Sequence, residues 1–199
     1  NIMCASLLAR AGEQPIKYQK IYLLTPENFL PYETMNHPSL QNRWQAHPQR
    51  GELFGVSAFH EGEMIWESAA IALYVADLFP NARLAPRPGE KGRGTYVSWL
   101  AYYAGVVEPV INFNFLGLGD HEGLKRAFRG RAEMDARIGE ALNAHDYIAG
   151  DKFTAADIIY ASIGQWAREF LPGGPVVDAY LDRCAKRPAL AKAMAKDAG

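Results

Sequence analysis

A segment rich in proline and glycine divides this chain of 199 residues into two parts of different character. Proline and glycine interrupt regular structure, so a cluster of both is typical of a linker between domains. The segment predicts an N-terminal domain over residues 1–79, a linker over residues 80–94 and a C-terminal domain over residues 95–199. The prolines and glycines of the linker are Pro80, Pro86, Pro88, Gly89, Gly92 and Gly94.

The part before the linker has the pattern of a mixed α/β domain. Some stretches alternate apolar and polar side chains, as half-buried strands do, and others are rich in helix formers. A polar stretch over residues 25–50 contains several prolines and predicts mainly loop. The predicted elements are a helix over 3–12, strands over 16–23, 53–60 and 63–66, and a helix over 69–79.

The part after the linker is expected to be all helical. Pro109 lies inside its first helix and should kink that helix or end it early, because proline lacks an N–H and crowds the preceding turn. The predicted helices cover residues 95–115, 122–144, 154–171, 175–186 and 188–197.

Composition argues against several classes of protein. The 21 basic and 22 acidic side chains nearly balance, so no positive field favours nucleic acid or a membrane surface. The longest apolar run, residues 69–76, is far shorter than the roughly 20 residues of a membrane span. Two cysteines, Cys4 and Cys184, form neither a disulfide framework nor a metal site, and the histidines lack metal-ligand spacing. We expect a cytoplasmic protein without a bound metal.

The clearest folding signal lies just before the third C-terminal helix. Thr154 at the N-cap and Asp157 three residues later can satisfy each other's free amides, as in a capping box. Phe153 and Ile158 stand where the two apolar residues of a hydrophobic staple are found. This pattern predicts a role in folding.

The clearest functional signal lies where a strand runs directly into a helix, over residues 64–71. Glu67 and Ser68 stand at the junction, where free amides and the positive helix end can bind an anion. Ser68 could hold a carboxylate and Glu67 an ammonium, which together suit the head group of an α-amino acid. A serine that merely caps the helix has the same pattern, and spacing alone leaves both readings open.

Four motifs in this order resemble the cytosolic glutathione transferases, most closely those of bacteria. They are Glu67-Ser68-Ala69-Ala70-Ile71, the linker, the Gly150–Asp157 box and the Tyr180–Ala189 ending. The resemblance implies a thioredoxin-like N-terminal domain that binds glutathione, an all-α C-terminal helical bundle, and a homodimer. It also implies a hydrophobic electrophile as the second substrate.

The resemblance also implies roles for particular residues. Glu67 and Ser68 would contact the γ-glutamyl group, the Val56 backbone the cysteinyl unit, and Arg50 the glycyl carboxylate. Arg50 shares its loop with Trp44 and His47, and solvated loop residues are the commoner outcome for all three. The electrophile pocket would be lined by aromatic residues of one helical stripe, which is also typical of a core. These residues are Tyr96, Trp99, Tyr102 and Tyr103.

Two departures from the family pattern bear on the site. The family's catalytic position falls at Asn1 or before it, so the first strand is expected to be absent from the chain and the catalytic residue stays unassigned. Cys4 lies about a turn too late and is better explained as a small buried residue. Ser57 stands where the family has a cis-proline, and a cis bond there would cost about 2.5–4 kcal/mol. The serine therefore weakens the inference that the Val56 backbone binds glutathione.

Three functions follow from this reading. The first is transfer of the glutathione thiolate to a hydrophobic electrophile in detoxification. The second is a non-catalytic module of the same fold that binds a ligand or a partner protein. The third is glutathione-dependent thiol–disulfide exchange, which would need a reactive thiol, with Cys4 the candidate. The sequence does not identify the electrophile.

Overall fold

The computed structural model describes residues 22–24, 57–60 and 63–191. Within these ranges, three strands form an antiparallel sheet in the order β1-β2-β3. They are β1 (Tyr22–Leu24), β2 (Ser57–His60) and β3 (Glu63–Trp66). All three overlap predicted strands. The predicted helix over 3–12 and the predicted loop over 25–50 lie outside the described residues.

Helix α1 (Ser68–Leu78) follows β3 almost directly. It buries Ile71, Ala72, Val75 and Ala76, which share one helical face. This helix starts one residue before the predicted one and ends one residue earlier, within the usual uncertainty of helix ends.

The linker begins with a 3₁₀ turn, Pro80–Ala82, and is anchored at Leu84. The Leu84 side chain is buried, and its carbonyl accepts a hydrogen bond of 2.7 Å from the backbone N–H of Ala155. The linker is therefore held against the first turn of a C-terminal helix.

A long helical segment follows, built from α2 (Arg93–Tyr102), a π-helical turn (Tyr103–Val107) and α3 (Glu108–Phe115). Pro109 does not end this segment. Its ring crowds the carbonyl four residues earlier, on Gly105, and that carbonyl lies in the π-helical turn, where the hydrogen-bond pattern is changed. The disturbance expected from Pro109 thus coincides with a local change of helix type.

The single helix predicted over residues 122–144 is wrong. The structure has two helices there, α4 (Glu122–Phe128) and α5 (Arg131–Ala144). Between them Arg129 and Gly130 have φ of 67° and 82°, which no right-handed helix accommodates. The residues on both sides of this break favour helix, so the sequence pattern continued across it. Gly130 was the residue that could have indicated the break.

Helices α6 (Ala155–Trp166) and α7 (Pro175–Ala185) complete the labelled elements. The helix predicted over 154–171 ends early, because Ala167 has left the helical region and a 3₁₀ turn, Arg168–Phe170, follows. A further helix starts at Pro188 and is described as far as Ala191.

The buried side chains of α1 and of the C-terminal helices form one continuous core. Tyr96, Tyr160 and Tyr180 are its largest fully buried members. Among the described residues, none of the helices is both long enough and apolar enough to cross a membrane. The all-helical C-terminal part is confirmed, while the thioredoxin-like N-terminal domain stays a prediction.

Candidate functional site

The junction between β3 and α1 consists of Glu67 alone. Its φ of 71° is positive, which is uncommon for a residue other than glycine. Such backbone strain costs about 1–3 kcal/mol and is concentrated at functional sites. The exposed Glu67 is therefore held in an unfavourable conformation one residue before α1 begins.

Helix α1 begins without a side-chain cap. Its first internal hydrogen bond runs from Ile71 N–H to the Glu67 carbonyl at 2.9 Å, so the amides of residues 68–70 have no acceptor within the helix. No acidic side chain lies in the first turn to neutralise the positive end. The half-buried Ser68 is the first helical residue rather than the N-cap, so the reading of Ser68 as a plain serine cap is wrong.

Glu108 is a second carboxylate at this junction, and sequence reasoning missed it. It is half-buried at the start of α3. Burial and the nearby Glu67 carboxylate both raise the pKa of Glu108. The two acidic side chains repel each other, so a cation bound between them would be stabilised.

The packing of two helices brings Glu108 to the site. At one end, Arg93 of α2 binds Asp77 of α1, and in the middle the Tyr96 hydroxyl donates to the Ala72 carbonyl at 3.3 Å. At the other end Glu108 comes near enough to Glu67 for the Glu67 carboxylate to raise the pKa of Glu108. From Arg93 to Glu108 the residue numbers rise, while those of their partners in and before α1 fall from Asp77 to Glu67. The two segments therefore run antiparallel. No local sequence signal could have revealed this pairing.

Three of the four residues predicted to line an electrophile pocket are core side chains. Tyr96, Trp99 and Tyr103 are 0%, 9% and 5% exposed. Trp99 and Tyr103 both meet the ring of Tyr160 edge-on, and the Tyr160 hydroxyl donates to the Trp99 carbonyl at 3.0 Å. Tyr102, on the same stripe, is half-buried. The described structure thus gives these residues a packing role, and their contact with an electrophile stays a prediction.

The predicted capping box at Thr154 and Asp157 is confirmed. The Asp157 carboxylate, fully buried, accepts from the Thr154 N–H at 2.7 Å and from the Thr154 hydroxyl at 3.0 Å. It also accepts from the Ile148 N–H at 2.8 Å and from the Tyr180 hydroxyl at 3.2 Å. Burial raises the pKa of Asp157, while these hydrogen bonds favour its ionised form. Asp157 therefore joins α6, α7 and the preceding loop.

The remaining candidates contribute little to the described site. Cys184 is buried, and burial raises the pKa of its thiol to about 12, which makes it unreactive. Ser57 begins β2 and pairs with Trp66. Within the described residues, no group of three potential metal ligands was found. The other candidates, Val56, Arg50, Trp44, His47 and Cys4, lie outside the described residues.

Comparison with known proteins bears on the helical part and on the chain as a whole. The family model of the glutathione S-transferase C-terminal domain matches residues 118–194. Glutathione S-transferase GstA of Escherichia coli O157:H7 is 29% identical over 142 residues, which are 69% of this chain and 70% of the relative. Residues 118–194 thus match the C-terminal domain of the glutathione S-transferases, and the longer match is to a bacterial protein of the same family. The resemblance inferred from the four motifs is thereby confirmed.

Solved structures of bacterial glutathione S-transferases are similar to this chain as well. A sphingomonad glutathione S-transferase complexed with glutathione is 27% identical, with a TM-score of 0.55 over 69% of this chain and 70% of that one. The beta-class enzyme of Sphingomonas chungbukensis matches 98% of this chain and 92% of its own, with 21% identity and a TM-score of 0.64. At that identity, the second likeness shows the fold alone.

Proposed function

We propose that this glutathione S-transferase relative binds glutathione and transfers its thiolate to a hydrophobic electrophile. The observation that carries the proposal is the uncapped start of α1, where free amides, Ser68 and the strained Glu67 stand together. The sphingomonad relative, complexed with glutathione, supports the same ligand.

The charges at the junction suit the γ-glutamyl head group of glutathione. Its carboxylate would accept hydrogen bonds from the first amides of α1 and from the Ser68 hydroxyl, with support from the helix dipole. Its ammonium would lie near Glu67 and Glu108, whose mutual repulsion it would relieve. A ligand that carries only one of these charges would bind less well.

The rest of glutathione would extend over the proposed thioredoxin-like domain. Val56 would hold the cysteinyl unit through its backbone, and Arg50 would bind the glycyl carboxylate. Free thiols have a pKa near 8.5, so a donor close to the sulfur is needed to favour the thiolate. The thiolate would then attack the electrophilic carbon, and the leaving group would depart with its bonding electrons.

Titration calorimetry with glutathione tests the binding step. We expect the wild-type chain to bind, and Ser68→Ala to weaken binding by about 1–3 kcal/mol, the usual cost of an unpaired polar partner. Ser98→Ala, a change at an exposed serine of α2, is the matched control and should leave binding unchanged. Absence of binding by the wild type, or equal effects of both variants, would overturn the proposed site.

Turnover is measured separately, with glutathione and a halo-nitroaromatic acceptor. A rate above background supports the transferase, whereas binding without turnover would replace it with the non-catalytic module. We further propose that the protein is a cytoplasmic homodimer that acts in detoxification, by resemblance to its family. Sedimentation analysis tests the dimer.

A further inference from the structure

Arg93 joins three parts of the molecule through one guanidinium group. Its Nη1 and Nη2 donate to Asp77 Oδ1 and Oδ2, each at 2.7 Å. Nη1 also donates to the Pro86 carbonyl at 3.0 Å. Asp77 lies in the last turn of α1, Pro86 in the linker, and Arg93 itself begins α2. We refer to this group of three residues as the Arg93 clamp.

The geometry of the clamp is that of a strong ion pair. Two parallel hydrogen bonds between a guanidinium and a carboxylate fix orientation as well as distance. The Arg93 side chain is 16% exposed and that of Asp77 38%, so the pair lies at the surface with its guanidinium partly covered. The hydrogen bonds to Asp77 raise the pKa of Arg93 further above its already high value.

The clamp holds the end of α1 that is remote from Glu67. The only other side-chain hydrogen bond from the helical part to α1, within the described ranges, is that of Tyr96 to the Ala72 carbonyl. Arg93 lies over the ring of Tyr96, at 5.6 Å from its centre, and so supports this second contact. Because α1 is a rigid helix held at Asp77 and at Ala72, these two contacts also fix the position of its N-terminus.

We propose that Arg93 is a positioning residue, which sets where Glu67 and Ser68 stand relative to Glu108 and thereby sets the affinity for glutathione. The inference rests on the proposed function. Arg93 does not touch the ligand in this scheme and acts through α1. Its loss should therefore weaken binding of glutathione without changing the chemical step.

The test compares Arg93→Ala and Arg93→Lys with Asp178→Asn. The last variant removes a comparable ion pair, Arg168 with Asp178, that lies within the C-terminal helical part. We expect Arg93→Ala to raise the Kd for glutathione about three- to tenfold, a range common for coupled neighbouring groups. Arg93→Lys, which keeps the charge but loses the fork, should recover part of this loss. The KM for glutathione should rise with kcat unchanged, and Asp178→Asn should change neither.

Hydrogen exchange provides a readout that needs no ligand. The amides of residues 71–78 in α1 should exchange faster in Arg93→Ala than in the wild type, while those of α6 should not. The proposed role of Arg93 would be overturned if exchange in α1 were the same in Arg93→Ala and the wild type. It would also be overturned if the wild type bound glutathione and Arg93→Ala bound it with the same Kd. If the wild type binds no glutathione, the proposed function fails, and exchange alone decides whether the clamp positions α1.

Discussion

At the scale of single residues, Asp157 is a fully buried carboxylate in the helical part. Its carboxylate receives four hydrogen bonds from three residues while it is fully buried. An exposed cap contributes about 1 kcal/mol. Asp157 should contribute more, because its loss leaves several buried donors without an acceptor.

We therefore expect Asp157→Asn to lower the free energy of unfolding by at least about 2 kcal/mol, since its amide hydrogens would face buried donors. Denaturant unfolding followed by circular dichroism measures this change. Asp151→Asn is the matched control, because Asp151 is exposed and pairs with His145 at the surface. A loss for Asp157→Asn no larger than that of the control would contradict the assignment.

Glu108 gives a prediction about pH. Its pKa is raised in the folded state, so the folded protein binds its proton more tightly than the unfolded chain does. Its ionisation then opposes folding as the pH rises from about 4, the ordinary range of a glutamate. The Glu108→Gln variant should therefore gain stability relative to the wild type as the pH rises above about 4.

Urea unfolding at several pH values measures this difference. In the background of Glu67→Gln the difference should become smaller, because part of the pKa shift of Glu108 comes from the Glu67 carboxylate. If the free energy of unfolding differed between Glu108→Gln and the wild type by the same amount at every pH, Glu108 would not lie in a buried, negatively charged site.

At the scale of elements, the break between α4 and α5 depends on Gly130. Its φ of 82° is accessible to glycine and strained for other residues, although a Cβ would make only an ordinary contact of 3.6 Å with Lys125. Gly139 provides the contrast, since it lies inside α5 with open space around it.

Alanine at these two glycines should have opposite effects. We expect Gly130→Ala to destabilise the protein by about 1 kcal/mol, through backbone strain alone. Gly139→Ala should stabilise it by about 0.5–1 kcal/mol, because alanine has the higher helix propensity. Thermal unfolding of the two variants measures both changes. If both variants were stabilised, or both destabilised, the two-helix arrangement would be wrong.

At the scale of the whole molecule, α1 packs as part of the helical bundle as well as next to the sheet. It shares one core with the C-terminal helices, and the linker is tied to α6 through Leu84. The candidate site therefore lies at a junction whose geometry depends on both sides of the linker. This explains how an ion pair far from Glu67 can affect the site.

Several features could be predicted from sequence because they depend on neighbours along the chain. The capping box at Thr154 and Asp157 involves residues three positions apart, and the strand-to-helix junction at Glu67 and Ser68 is equally local. The resemblance to glutathione transferases followed from four such motifs in order. Helix breaks were harder, because propensity favours helix on both sides of Gly130, and a positive φ is not encoded by any one neighbour.

The sequence by itself thus determined the helical character of the C-terminal part, the capping box, the junction and the resemblance to glutathione transferases. Only the tertiary structure decided that Tyr96, Trp99 and Tyr103 are buried, that the Glu67 carboxylate acts on Glu108, and that the Tyr180 hydroxyl donates to Asp157. These facts depend on which helices pack together and in which direction. Such packing joins residues distant in sequence, and amphipathic periodicity shows that a face is buried without showing against what.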